Sequence, residues 1–301
     1  MKVLNFGSLN LDYVYEVDHF VQPGETLSSR SQKVVPGGKG LNQSVALARA
    51  GASVFHAGCI GTGGEALRTL LEENGADTSF LLSADELQGN AVIQVNDAGE
   101  NCIILFGGSN QCVTEEQIDA TLAAFAPGDW LILQNEINLI PRIVNEAWEK
   151  GMKIALNPSP FNDRLRDVDF GKLSWLLVNE VEARQITGQD DPEAVWAEIH
   201  RRYPRLSLLL TLGGDGSRAW QVTEEGVVGH TQAVFPVRAV DTTAAGDTYT
   251  GFFIGGLVEG LPLGECMRRA GMASAISVTR PGAAPSIPGR REVEEALAHQ
   301  E

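Results

Sequence analysis

The stretch Val240-Asp241-Thr242-Thr243-Ala244-Ala245-Gly246-Asp247-Thr248-Tyr249-Thr250-Gly251-Phe252-Phe253 changes character halfway. A turn of small residues opens a helix and places Asp247 at its N-terminus. The first N–H groups of a helix lack intrahelical partners and carry partial positive charge, so they suit an anion; a carboxylate beside them can accept a proton from an attacking hydroxyl. That pairing fits phosphoryl transfer. The plainer reading of Asp247 is a carboxylate that complements the helix dipole.

Outward from this segment, short apolar or β-branched runs alternate with helical patterns, which predicts βαβ units around a parallel sheet. Strands are expected at 3–6, 54–57, 130–134, 153–156, 175–178 and 208–212. Helices at 41–50, 64–74 and 139–150 each stop at a glycine, Gly51, Gly75 or Gly151, in the C′ position. A further helix begins at Glu193, with Asp191 as cap and Pro192 at its first position.

Two segments break the alternation. Residues 14–35 and 91–105 read as extended, the second with a turn around Asp97-Ala98-Gly99. Together they predict a small β flap standing off the main sheet, able to cover a substrate and to pair through its outer apolar face with a second copy. The alternative is an edge extension of the main sheet.

Composition narrows the function classes. A chain of 301 residues fits one α/β domain with an appendage. It has no apolar run of about eighteen residues and no signal-peptide core after Met1-Lys2-Val3, so a soluble cytoplasmic protein is expected. The net charge of −16 disfavours nucleic acid or an anionic membrane as partner, and an anionic nucleotide would then need local help. Cys59, Cys102, Cys112 and Cys266 form no CxxC pair and read as reduced, partly buried thiols.

Pro36-Gly37-Gly38-Lys39-Gly40-Leu41-Asn42-Gln43-Ser44 is the second informative segment. Its glycines allow close backbone approach to a ligand, and Asn42 can both donate and accept, which suits a polyol; a plain turn is the other reading. Lys39 lacks the GxxxxGK[ST] context of a P-loop, and no GxGxxG follows the first strand, which argues against a Rossmann dehydrogenase.

With both glycine segments in view, the chain resembles the ribokinase family of carbohydrate kinases within the phosphofructokinase-B superfamily. The resemblance rests on Gly37-Gly38-Lys39-Gly40-Leu41-Asn42-Gln43 and Asp241-Thr242-Thr243-Ala244-Ala245-Gly246-Asp247-Thr248, in that order. It extends through Gly7-Ser8-Leu9-Asn10-Leu11-Asp12, Asn179-Glu180-Val181-Glu182, Thr211-Leu212-Gly213-Gly214-Asp215-Gly216 and Val278-Thr279-Arg280-Pro281-Gly282-Ala283-Ala284-Pro285-Ser286. It implies a three-layer αβα sandwich with a mainly parallel central sheet, residues 1–301 as one kinase domain, and a β lid from about 13–36 and 90–106.

The resemblance also implies roles. Asn10, Asp12, Gly38, Lys39, Gly40, Asn42 and Glu136 would hold the sugar, and Asp247 would be the general base. Ala245, Gly246 and Asp247 would supply an N–H anion hole. Asn179, Thr211, Gly213, Asp215, Gly216 and Gly246 would line ATP. Glu182 would meet Mg²⁺ through water, and Asp241, Thr243, Ser277, Arg280, Gly282 and Ser286 would form a K⁺ site. The implied reaction is ATP-dependent phosphorylation of D-ribose at its 5-hydroxyl, by a homodimer joined through the lids; fructose, a sugar acid or a nucleoside are alternative acceptors, and a non-catalytic sensor is another class.

Three positions depart from the pattern. Ala244 stands where the superfamily often has Gly, which points to the narrower family. Thr62-Gly63-Gly64-Glu65 replaces the usual Asp-containing turn, and Gly271 falls where a larger side chain often borders the nucleotide.

Overall fold

The computed structural model describes residues 1–300 of the 301. In chain order the first elements are β1 (Val3–Phe6), β2 (Asn10–Glu16), β3 (Ser31–Gly37), α1 (Lys39–Arg49), β4 (Val54–Thr62), α2 (Glu65–Glu73), β5 (Asp77–Leu87), β6 (Asn90–Val95) and β7 (Asn101–Phe106). Then come α3 (Glu115–Ala123), β8 (Trp130–Gln134), α4 (Ile140–Glu149), β9 (Lys153–Asn157), β10 (Trp175–Asn179), α5 (Glu180–Thr187), α6 (Pro192–Arg202) and β11 (Ser207–Thr211). The chain closes with β12 (Ser217–Thr223), β13 (Gly226–Gln232), α7 (Ala245–Glu259), α8 (Leu263–Ser277) and α9 (Arg290–Ala298).

One sheet has the order β13-β12-β11-β10-β9-β8-β1-β4-β5 and is parallel from β5 to β11; β12 and β13 then add an antiparallel edge. The apolar runs of its central strands face two cores. Trp130 and Ile132 of β8 join Leu41, Val45, Phe253 and Met267, while Leu131 and Leu133 join Ile118, Ile143, Val144 and Ile199. Helices therefore cover both faces, the αβα sandwich expected of a buried parallel sheet.

The local stop signals work as their chemistry predicts. Gly51, Gly75 and Gly151 all have positive φ just past their helices. Asp191 accepts from the Ala194 N–H at 3.0 Å, with Pro192 in the first position of α6.

Differences from the sequence reading have physical causes. β4 runs past residue 57 to Thr62 through two glycines, because the chain presses on its neighbours: a Cβ at Gly58 would sit 2.6 Å from the Gly7 carbonyl oxygen. β5 mixes charged and apolar residues without clean alternation, and the β12–β13 hairpin turns on Glu224-Glu225, which carries no Asn-Gly or Asp-Gly signal. Cys102 is exposed, whereas Cys59 and Cys266 are buried.

The two extended segments form their own sheet, β3-β2-β6-β7, rather than an edge of the main one. Residues 14–35 are not one continuous strand; β2 and β3 are separated by the loop 17–30. β2 starts at Asn10, directly after β1, and β3 ends at Gly37, directly before α1, so the root of this sheet lies at both glycine-rich entries to the core.

Candidate active site

Close packing of two helices builds the centre of the site. A Cβ on Gly251 of α7 would collide with the Ala46 side chain of α1, and one on Gly255 would lie 2.9 Å from the Ala50 Cβ. Small residues four apart on both helices thus let the backbones approach. The approach brings the start of α1 to the start of α7: Asn42 Nδ2 donates to Asp247 Oδ2 at 3.1 Å, and Gln43 Nε2 donates to Asp247 Oδ1 at 2.9 Å. The two distant glycine segments therefore meet, with the Asp247 carboxylate at 7% exposure between them.

Glycines are required on the α1 side for space. At Gly40 a side chain would strike the backbone of Ser8, and at Gly37 it would strike the Asp12 carboxylate. Asp12, Asn10, Lys39 and Glu136 surround this entry from β2, α1 and the segment after β8. Glu136 accepts from the Lys39 N–H at 3.0 Å and from the Ser8 hydroxyl. Asn10 Oδ1 accepts from Asn110 Nδ2 at 2.7 Å, and Asn110 is itself tied to both backbone groups of Leu9. A cavity of about 500 Å³ extends from Asn10 and Glu136 past Asn110, Asn135 and Arg164.

The crowding of acids shapes the electrostatics. Burial, with the nearby charges of Glu136 and Asp247, pushes the Asp12 carboxyl up to about 7. Burial also raises Glu136, although Lys39 and Ser8 oppose it. For the Lys39 ammonium burial acts downward, but Asp247, Glu136 and Glu182 outweigh it and hold the group above its ordinary value. Buried Asn42 Oδ1 and Asp12 Oδ1 have no partner among the described residues, leaving two acceptors for the hydroxyls of a polyol.

A cavity of about 270 Å³ is lined by Asp247 itself together with Lys39, Asn157, Asn179, Glu182, Thr242 and Gly246 among others. The Ala244 backbone turns through the left-handed region, φ 58°, to start α7. The Ala245 N–H donates to the Thr242 carbonyl at 3.2 Å, so of the three expected anion-hole donors only those of Gly246 and Asp247 are open among the described residues. Thr242 occupies Ala245 because the turn into α7 closes on itself. No atom stands within 4 Å of a Cβ position on Gly246, so this turn is open on its side-chain face.

Asn179 and Glu182 form a reciprocal capping box on α5, at 2.9 and 3.0 Å. Capping and ligand contact are compatible roles for Glu182, since the capped carboxylate also lines the cavity. A third cavity, about 630 Å³, continues from Asn179, Thr211 and Gly246 past Gly213, Gly216, Phe235 and Gly271. Asp215 is not in it: this exposed residue closes the turn by donating its N–H to the Leu212 carbonyl. At Gly271 the missing side chain is replaced by the ring of Phe235, which the sequence reading did not select.

Asp241 binds the turn before α7 to the loop after α8. Its Oδ1 accepts from the Thr243 N–H at 2.9 Å and hydroxyl at 2.6 Å, and its Oδ2 accepts from the Gly282 N–H at 2.8 Å. Burial acts upward on this carboxyl, but those three bonds prevail and hold it below the usual range. The Arg280 guanidinium turns to Glu292, and the Ser277 and Ser286 hydroxyls donate to the Ser274 and Ala283 carbonyls, so any cation contact from these three would come from their backbone oxygens or a lone pair.

The sequence reading left Gln43, Asn110 and Gln134 without roles. Gln43 stood inside a quoted segment, yet adjacent helical residues point about 100° apart and only Asn42 was expected to face the ligand. Nothing in the sequence around Asn110 or Gln134 marks them.

Comparison with known proteins identifies the family. A model of the family described as pfkB family carbohydrate kinase matches residues 1–290. The chain is 36% identical to the ribokinase of Haemophilus influenzae over 302 residues, covering 97% of each. Among solved structures, the ribokinase of Cryptococcus neoformans in complex with ADP has a TM-score of 0.85 at 32% identity, covering 98% of this chain and 99% of that one. Arabidopsis thaliana ribokinase complexed with ribose and ATP has a TM-score of 0.86 at 26% identity, covering 98% of each. The chain belongs to the pfkB family of carbohydrate kinases, among its ribokinase-type members.

Proposed function

We propose that this kinase transfers the γ-phosphoryl group of ATP to the 5-hydroxyl of D-ribose, giving ribose 5-phosphate and ADP. The observation that carries this reading is that Asp247 accepts from Asn42 and itself lines the cavity beside the start of α7. The relatives named above support the sugar: they are ribokinases, one of them solved with ribose and ATP.

In this reading Asn10, Asp12, Asn42, Lys39, Glu136 and the backbone at Gly38 and Gly40 fix the sugar hydroxyls. Asp247 takes the proton of the 5-hydroxyl as that oxygen bonds to the γ-phosphorus. The bond to the β,γ-bridging oxygen breaks, and ADP leaves with its electron pair. The open N–H groups of Gly246 and Asp247 receive the developing charge, and Lys39 adds a cation beside them. Asn179, Thr211, Gly213 and Gly216 border ATP.

The donor set near Glu182 suits Mg²⁺: one capped carboxylate next to the amides of Asn157 and Asn179 leaves room for a hydrated ion. Bound there, Mg²⁺ neutralises phosphate charge. Oxygen donors of Asp241, Thr243, Ser277, Arg280, Gly282 and Ser286 would hold K⁺, which adds positive charge near the anion hole. The small sheet acts as a lid that excludes water, and its outer strand joins a second copy. The use of ATP as donor and the unpaired cysteines support a cytoplasmic setting.

A coupled assay of ADP release, with Mg²⁺ and K⁺, over ribose, fructose, sugar acids and nucleosides tests the reading. Ribose should give the highest kcat/KM, and replacing K⁺ by Na⁺ should lower it. Release with a different acceptor and none with ribose would overturn the substrate, and sugar binding without any ADP release would favour a sensor.

A further inference from the structure

Asp247 is the end of a row of buried polar side chains. Gln43, which donates to its Oδ1 at 2.9 Å, accepts at Oε1 from Gln134 Nε2 at 2.6 Å. The same Gln134 nitrogen donates to Asn5 Oδ1 at 2.9 Å, and Asn5 Nδ2 donates to the Ser44 hydroxyl at 2.8 Å and to the Gly40 carbonyl at 2.7 Å. Ser44 Oγ lies 2.8 Å from His56 Nδ1. Gln43, Gln134, Asn5, Ser44 and His56 are at most 1% exposed.

These residues come from α1 and from three adjacent strands, β8, β1 and β4, amid apolar neighbours such as Leu4, Phe6, Ala57 and Ile132. Burying five polar side chains is costly unless their bonds are made; each of the five has at least one partner, while Gln134 Oε1 and His56 Nε2 stay unpaired among the described residues, and the bonds that are made favour one arrangement. The donors here run one way. A carboxylate at 247 requires the Gln43 NH₂ to face it, so Gln43 Oε1 faces Gln134. Gln134 then spends its NH₂ on Gln43 and Asn5, and Ser44, accepting from Asn5, has its proton for His56 Nδ1. Burial pushes His56 down to about 4, so the ring is neutral at neutral pH, and its Nδ1 accepts in the tautomer that carries the proton on Nε2.

We propose that Gln43 and Gln134 are positioning residues for phosphoryl transfer: their buried amides pin Asp247 Oδ1, so that Oδ2, shared with Asn42, is the oxygen aimed at the acceptor hydroxyl. The inference rests on the reading of Asp247 as general base. A hydrogen bond to an ionised carboxylate also favours the ionised form, the form a base needs. The charged groups facing Asp247 are Lys39 on α1, Asp12 on β2 and Glu136 after β8, and all three stay in place in the variants below.

Gln43→Met and Gln134→Met keep side-chain volume and remove the donors. Steady-state kinetics across pH on the full chain, with thermal melts as a control, should show Gln43→Met losing about ten- to a hundredfold in kcat with KM for ATP within about twofold. The acid limb of its kcat/KM profile should move up by about one pH unit. Gln134→Met should shift the same way by less, and the double variant should be no worse than Gln43→Met. An unmoved acid limb with only a lower melting temperature would reduce the network to a structural role and overturn the proposal; so would additive effects of the two substitutions. If Gln43→Met does not fold, the pH profile of Gln134→Met decides alone, because that side chain does not touch Asp247. Near-parental kcat in Asp247→Asn would instead remove the base assignment itself, a separate outcome.

Discussion

Asp247 accepts from two amides, one on each oxygen, and this makes substitution there sharper than charge loss alone. An asparagine would turn an NH₂ toward one of the two donors. Asp247→Asn is predicted to lower kcat by about 10²- to 10⁴-fold with little change in ATP affinity, measured by steady-state kinetics and nucleotide titration. Asp12 gives a pH prediction. Its carboxyl is raised from the ordinary range to about 7 in the fold, so between about pH 4 and 7 the folded chain holds a proton that the unfolded chain has released. Stability from this group is therefore present at low pH and lost as pH rises through that window. Asp12→Asn should match the parent near pH 4 and exceed it at pH 7 and above by a gap on the order of 4 kcal/mol, read from denaturant melts at both pH values. A gap that shrinks as pH rises would contradict the assignment. Asp247 was legible in the sequence as a carboxylate at a small-residue turn and Asp12 through the family resemblance, but the opposed bonds on Asp247 were not.

At the level of elements, the site depends on how close α1 and α7 lie. Gly251 faces Ala46 with no room for a methyl group, so Gly251→Ala forces the helices apart. The substitution is predicted to cost about 1–3 kcal/mol in thermal or chemical melts, and to reduce kcat because Asn42 and Gln43 move away from Asp247. A variant with unchanged stability and turnover would show that the contact is tolerant. The capping box of α5 separates two jobs of Asn179. Asn179→Ala should lose about 1 kcal/mol of stability and raise the Mg²⁺ concentration needed for half-maximal rate, whereas Asn179→Asp keeps the cap and should keep the stability. Strands such as β8 and helices with a C′ glycine were readable because their signals are local. The β12–β13 hairpin and β5 were not, because pairing with a neighbour decided them against their own composition.

For the molecule as a whole, the open question is what covers the outer strand of the small sheet. All of β7 is exposed, and Ile103, Ile104, Leu105 and Phe106 put a run of apolar side chains on an unpaired edge, with Ile104 at 64%. If this edge joins a second copy, Ile104→Lys should convert a dimer to a monomer in light scattering and weaken ribose binding, because the lid loses its support. A parent protein that is already monomeric would remove the dimer. The sequence by itself determined the alternating α/β pattern, the parallel sheet, the helix ends and the residue types of the site, because hydrophobic period, turn chemistry and capping act within a few residues. Only the tertiary structure decided that Gln43 and Asp247, separated by 204 positions, share a hydrogen bond, that Gln134 supports Gln43 across 91, and that Ala245 spends its N–H on its own turn. Those facts follow from which buried polar groups find partners once the layers close, and a donor's partner is set by the packing of remote segments, about which neighbouring residues carry no information.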